Sequence, residues 1–319
     1  MKEAPTISFK RIAIATALGA AALFTYNAVI QAQPLNGFDL EGATIPEEEV
    51  FKGGPPKDGI PSIDKPSFVI AEDSTQLKDS DLVLGITLNG VSKAYPLPIM
   101  NWHEIVNDQF GHLPVVVTFC PLCGSGMAFE STIDGRHLTF GVSGLLYNSD
   151  VLLYDRETES LWSQLKSSAV TGFYKTTQLT PVLMQHTTWA HWRTQYPNTL
   201  VLSFDTGFSR NYSRNPYENY ENIEQTYFPV KFRAKGLHPK EKVIGLTING
   251  KAKAWPLIEL RKAGSVVKDN VGGQSVTVRF NEKYESAHIV NNQGKALSSV
   301  TLFWFAWAAF HPETELFEF

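Results

Sequence analysis

Beyond residue 66 the chain alternates apolar and polar positions with a period of two, or runs apolar over short stretches bounded by Gly, Asn, Asp and Pro. That is the pattern of β-strands rather than of helices. Val83-Leu84-Gly85-Ile86-Thr87-Leu88 and Val91-Ser92-Lys93-Ala94-Tyr95-Pro96 flank Asn89-Gly90, a dipeptide that supplies the positive φ of a two-residue hairpin turn. A second hairpin is predicted over residues 129–140, turned at Asp134-Gly135, with further strands at 115–119 and 151–155. Helical spacing is confined to short segments: Ile99, Trp102 and Val106, then residues 189–195 and 303–310.

The pattern recurs. Residues 243–257 repeat residues 83–97, and Val267-Lys268-Asp269 with strand 276–280 repeats Val106-Asn107-Asp108 with strand 115–119. Trp304-x-x-Trp307 followed by His311-Pro312-x-Thr314 repeats Trp189-x-x-Trp192 followed by Tyr196-Pro197-x-Thr199. The expected fold is therefore mainly β (α+β): two homologous β-rich lobes from an internal repeat, at 67–205 and 236–319, with a few short helices. A linker rich in Asn, Tyr, Ser and Glu joins them over 206–235. Positions kept in both copies serve the shared fold, so the Trp pairs are expected in the core. Positions found in one copy are candidates for chemistry. Cys120 and Cys123 fall where the second copy has Asn281 and Tyr284, His103-Glu104 falls where it has Lys262, Ala263 and Gly264, and residues 141–156 have no counterpart.

Ahead of the repeat, Lys2, Lys10 and Arg11 precede an apolar run over 12–32, and acids follow at Asp39, Glu41 and 47–49. This order predicts the N-terminus inside and the body outside, in the periplasm or another extracytoplasmic space. Residues 1–32 then act as a signal peptide or as a membrane anchor. As a helix the run would be about 31 Å long, enough to span a bilayer. Residues 33–66, dense in Pro, Gly and acids, are expected to form an extended tether, or one whose later part lies on the body, since Ile60, Ile63 and Phe68 are apolar enough to dock.

Composition narrows the function. A chain of 319 residues with 43% hydrophobic content can bury its core without covalent staples. Its net charge of -4 offers no basic field for a phosphate backbone, so nucleic acid is not an expected partner. No dinucleotide or phosphate-loop fingerprint, haem-attachment motif, nucleophile elbow or metalloprotease motif occurs.

The chain's two cysteines both lie in Phe119-Cys120-Pro121-Leu122-Cys123-Gly124. A Cys-x-x-Cys pair chelates a soft metal, cycles between dithiol and disulfide, or closes a small structural loop. As a metal site, Cys120 and Cys123 would be joined by His103 and Met127, a set suited to copper or zinc, with copper the thiol-loving candidate outside the cytoplasm. Glu104 could orient His103 or act as a base. A redox pair needs a depressed thiol pKa; Pro121 suits a first helical turn, but Gly124-Ser125-Gly126 does not continue one. As a disulfide the loop is so short that it would contribute only about 2 kcal/mol. Asn148, Ser149, Asp150, Asp155 and Arg156 form a polar set within an apolar segment, either a capped turn with an ion pair or groups around a metal or substrate. Trp162 and Gln164 would line the same cavity.

Several of these stretches, namely 53–61, 101–108, 119–123, 147–150, 154–164 and 304–312, resemble the prokaryotic family called domain of unknown function 3179. The likeness covers nearly everything after residue 50 and implies related proteins without an activity. The functional expectation is an exported or membrane-anchored protein whose metal site, in lobe one, handles metal or carries out redox chemistry at the outer face of the membrane. One alternative is a thiol-disulfide oxidoreductase using Cys120 and Cys123. Another is a non-catalytic accessory subunit of a larger membrane protein complex, with the pair a structural disulfide.

Overall fold

Hairpins are the unit from which this protein is built. The computed structural model describes residues 34–319; the expected signal peptide or anchor at 1–32 lies outside the described residues. Asn89-Gly90 and Asn249-Gly250 both adopt positive φ and close hairpins of identical register, Leu88 opposite Val91 and Ile248 opposite Lys251. Asp134-Gly135 does the same between Ile133 and Arg136, as its sequence predicts.

The Asp134-Gly135 hairpin stays a separate two-stranded sheet, while the two Asn-Gly hairpins belong to larger sheets, which number five among the described residues and form the blades of a five-bladed β-propeller. The first holds Val50–Lys52, Phe140–Tyr147, Asp150–Asp155, Leu161–Ser163 and Ser168–Ala169; the second holds Pro181–Val182, Ser125–Glu130, Leu113–Cys120 and Ile105–Phe110. The third runs Gln185–Thr188, Leu82–Leu88, Val91–Pro96, Leu200–Leu202 and Phe68–Ile70. The fourth runs Val300–Phe303, Lys242–Ile248, Lys251–Pro256 and Glu315–Leu316, and the fifth Val266–Val271, Gln274–Asn281 and Ser286–Asn291.

The expectation of two lobes is therefore corrected. Repeated segments recur as equivalent strand pairs, but residues 33–319 form one compact unit. Strand Ser125–Glu130 lies against Val300–Phe303, and Gln185–Thr188 against Ser286–Asn291, so blades drawn from the two copies interlock. Residues 140–169, most of them without a counterpart, make the greater part of the first blade.

Four short helices cap the sheets: α1 (Leu97–His103), α2 (Trp189–Gln195), α3 (Leu257–Ala263) and α4 (Trp304–Phe310). As expected, α2 and α4 bury their Trp pairs. Trp192 Nε1 donates to Thr199 Oγ1 at 2.9 Å, and Trp307 Nε1 to Thr314 Oγ1 at 2.8 Å. Each ring lies flat on a strand glycine: a Cβ on Gly85 would fall 2.3 Å from Trp192, and one on Gly245 would fall 2.3 Å from Trp307. Because the obstacle is a fully buried indole, Gly85→Ala should destabilise the body by about 1–3 kcal/mol, read as a lower urea midpoint. An unchanged midpoint would mean that the strand moves aside freely.

A buried ion pair is repeated too. Lys93 Nζ reaches both oxygens of Asp108 at 2.8 Å, and the Tyr95 hydroxyl donates to Asp108 Oδ2 at 2.5 Å. In the second copy Lys253 meets Asp269 at 2.9 Å and Trp255 Nε1 donates to Asp269 at 2.8 Å.

Two further expectations change. Of residues 33–66, expected as a tether or as one whose later part docks, the described residues 34–66 are part of the body throughout, early part included: Phe38, Leu40, Ile45, Val50 and Ile63 are buried, and Val50–Lys52 pairs with Leu145 to Tyr147. Pro and Gly exclude regular structure there but leave enough apolar anchors to dock. Residues 206–235 hold little regular structure beyond the turn Tyr220–Asn222, yet they do more than join two halves, because their tyrosines cover the cysteine loop. Among the described residues no helix is long and apolar enough to cross a membrane.

Candidate functional site

Cys120 ends the strand Leu113–Cys120 and pairs with Ser125, so the Cys-x-x-Cys is the tight loop of a hairpin. Cys123 N donates to Cys120 O at 3.2 Å, and Gly124 takes a positive φ. In the second copy Asn281 pairs with Ser286 around the turn Glu282–Tyr284, which confirms that Cys120 and Cys123 replace Asn281 and Tyr284. Both cysteines are free and buried.

The first blade delivers the third group. Asn148-Ser149 forms a two-residue turn with both φ positive, between Tyr147 and Asp150. Its Ser149 carbonyl faces the thiols, 3.3 Å from Cys123 Sγ and 3.6 Å from Cys120 Sγ. Asp150, expected only around the site, is within it: one of its carboxylate oxygens and the two sulfurs all lie within 4.8 Å of one another. Leu165 N donates to Asp150 Oδ2 at 3.1 Å, while the buried Oδ1 has no partner.

Glu104 is brought in by strain. It caps α1 at φ 58°, where the equivalent α3 ends in Gly264 at φ 98°. A buried carboxylic residue held in a conformation that suits glycine is strained and persists only because its surroundings hold it there. The nearby Tyr217 hydroxyl partly offsets the effect of burial on its carboxyl.

Burial dominates the electrostatics. It pushes Asp150 up to about 8, against the partial relief of the Leu165 and Val151 amides and of the two thiols, and Glu104 up to about 8, against the partial relief of Tyr217. It raises both thiols as well, Cys123 furthest, with the neighbouring acids adding to the rise. Without a cation these groups stay protonated; a bound cation would reverse the order.

The remaining predicted residues sit elsewhere. His103 is buried with both ring nitrogens engaged: Nδ1–H donates to Pro61 O at 2.7 Å, and Nε2 accepts from the Tyr212 hydroxyl at 2.6 Å. It holds residues 61 and 212 together and stands outside the thiol–carboxylate group. Met127 shares the sheet face of Cys120 but lines a separate cleft with Leu165, Trp307 and His311. Asn148 Oδ1 accepts from Lys231 N, and Ser149 Oγ donates to Phe228 O, so both tie the turn to the covering segment. Asp155 and Arg156 do not pair with each other. Asp155 caps its own turn through Thr158 and accepts from Trp162 Nε1, and Arg156 clamps Asp58, Ser62 and Asp64. Trp162 is core, packed on Phe140 and Tyr174. Gln164 braces the cysteine hairpin by bonds to Thr118 and Ser125.

A cleft of about 360 Å³ opens beside the loop, lined by Phe119, Pro121, Gly124, Tyr217 and Tyr220 among others. The two tyrosines, absent from the expected site, line the cleft and also pack in the cluster that holds the cysteines. Only the density of tyrosine in 206–235 hinted at them.

Fold and site together define a β-propeller holding a buried dithiol and carboxylate beside a cleft. The family model described as Protein of unknown function (DUF3179) matches residues 57–314, and the chain belongs to this family. No curated protein and no solved structure matches it.

Proposed function

We propose that the protein binds a transition-metal ion through Cys120, Cys123 and Asp150, and that the ion serves chemistry on a small molecule entering from the cleft. The observation that carries this is Asp150 Oδ1, a carboxylate oxygen that is buried, without a partner, and grouped with two free thiols. Such a group is costly to bury unless a cation compensates it. Three protein ligands leave a fourth position open, the pattern of a zinc that works on substrate rather than one that only staples a fold.

The donor set shifts the expected metal. Copper rested on His103 and Met127, and a carboxylate now stands where imidazole and thioether were expected. Two thiolates and a carboxylate suit a borderline divalent ion, zinc above all. The raised thiol pKa values weigh against a thiol-disulfide oxidoreductase, which needs a thiolate at neutral pH. The charge order around 12–32 supports placing this chemistry at the outer face of a membrane.

Elemental mass spectrometry on the full chain, purified without oxygen, should find near-stoichiometric zinc that vanishes in the Cys120→Ser, Cys123→Ser variant. Metal-free protein that takes up neither zinc nor copper, with the pair isolated as a disulfide, would overturn the proposal in favour of a stapled accessory subunit.

A further inference from the structure

A second unmet group lies in the same buried cluster as the cysteines. Tyr220 is 1% exposed, its hydroxyl has no partner, and it belongs to the same buried cluster as Cys120, Leu122 and Cys123. It also lines the cleft. Burial and the nearby cysteines raise its pKa, partly offset by the Tyr227 backbone, which leaves the hydroxyl proton without an acceptor. Its ring is fixed from three sides: Tyr227 at 4.5 Å, Phe303 at 6.4 Å, and Lys240 Nζ 4.3 Å from its centroid. Asn219, just before it, takes a left-handed φ of 66° to place it. A fixed, buried hydroxyl without an acceptor is unfavourable unless a ligand supplies one.

Charge decides which ligand. Two thiolates and one carboxylate exceed a divalent ion by one negative charge. A further anion in this low-dielectric site would be repelled. Resting on the metal site proposed above, we infer that the fourth position takes a neutral carbonyl oxygen of a small polar molecule, with the Tyr220 hydroxyl as its hydrogen-bond donor. The cleft is at the small end for ligand pockets. Tyr217 lines the cleft as well, but of the two it is the Tyr220 hydroxyl that is buried without a partner.

The test uses the full chain loaded with Co(II), whose visible spectrum reports both thiolate ligation and the fourth ligand. Acetamide and acetate, a neutral and an anionic probe of nearly equal size, are titrated at neutral pH. Acetamide should shift the cobalt d–d bands at concentrations about tenfold or more below acetate. Tyr220→Phe, which keeps the ring and its packing, should weaken acetamide about tenfold while leaving cobalt affinity unchanged. Acetate binding as well as acetamide, acetamide binding Tyr220→Phe equally well, or no response to either probe while the thiolate–cobalt band is present would each overturn the inference and leave the metal site standing. Absence of that band would overturn the metal site itself, and the inference with it.

Discussion

Asp108→Ala should destabilise the protein by about 3–5 kcal/mol, because it leaves Lys93 charged and buried with no counter-ion. Lys93 is 7% exposed and clasped between the Phe68 and Phe110 rings, so it can neither reach water nor find another acid. Tyr95 loses its acceptor at the same time. The repeat provides the control. Lys253 and Asp269 are more exposed, with side chains at 13% and 17%, and Lys253 has Glu315 at 3.5 Å as a second partner. Asp269→Ala should therefore cost markedly less, about 1 kcal/mol. Equilibrium urea unfolding of the two variants side by side measures both, and equal losses would show that burial does not set the difference.

Asp150→Asn should act with opposite signs on two properties. In metal-free protein it removes a carboxyl that burial holds protonated, so stability near neutral pH should rise by roughly 1–3 kcal/mol. Metal affinity should fall by roughly a hundredfold or more, since a charged ligand is gone. The sign with pH follows from the direction of the shift. Asp150 binds its proton more tightly folded than unfolded, so its contribution is fully present below its ordinary value of 3.8 and is lost as pH rises towards about 8. Glu104 behaves alike from 4.5 to about 8. Metal-free wild type should thus lose stability across that window, and Asp150→Asn should flatten the loss. Thermal unfolding at several pH values with a chelator present checks this; a variant that is less stable at every pH would make Asp150 an ordinary structural acid.

Much of the strand pattern was legible, and so was the place of the cysteines. Asn-Gly and Asp-Gly turns specify hairpins locally, and the repeat aligned Cys120 with Asn281 and Glu104 with the region of Gly264. Its meaning was not local. Homologous hairpins read as lobes, since nothing in the spacing of residues tells two separate cores from blades that interlock. His103 differs between the copies as Glu104 does, yet it is spent on Pro61 and Tyr212, contacts formed by residues 42 and 109 positions away in sequence. Asp150 could have been singled out, because an acid opening the apolar strand Asp150–Asp155 is buried on both sides. Tyr217 and Tyr220 could not, because irregular backbone leaves no period from which to place a side chain.

The covering segment also sets a clock. Phe228 and Lys231 latch onto the turn at Asn148-Ser149, and Tyr220 packs against the cysteine pair. On the metal reading proposed above, an ion held beneath that cover would leave only when the latch opens, so its residence time would follow the local opening equilibrium of residues 206–235 rather than the strength of the metal–sulfur bonds alone.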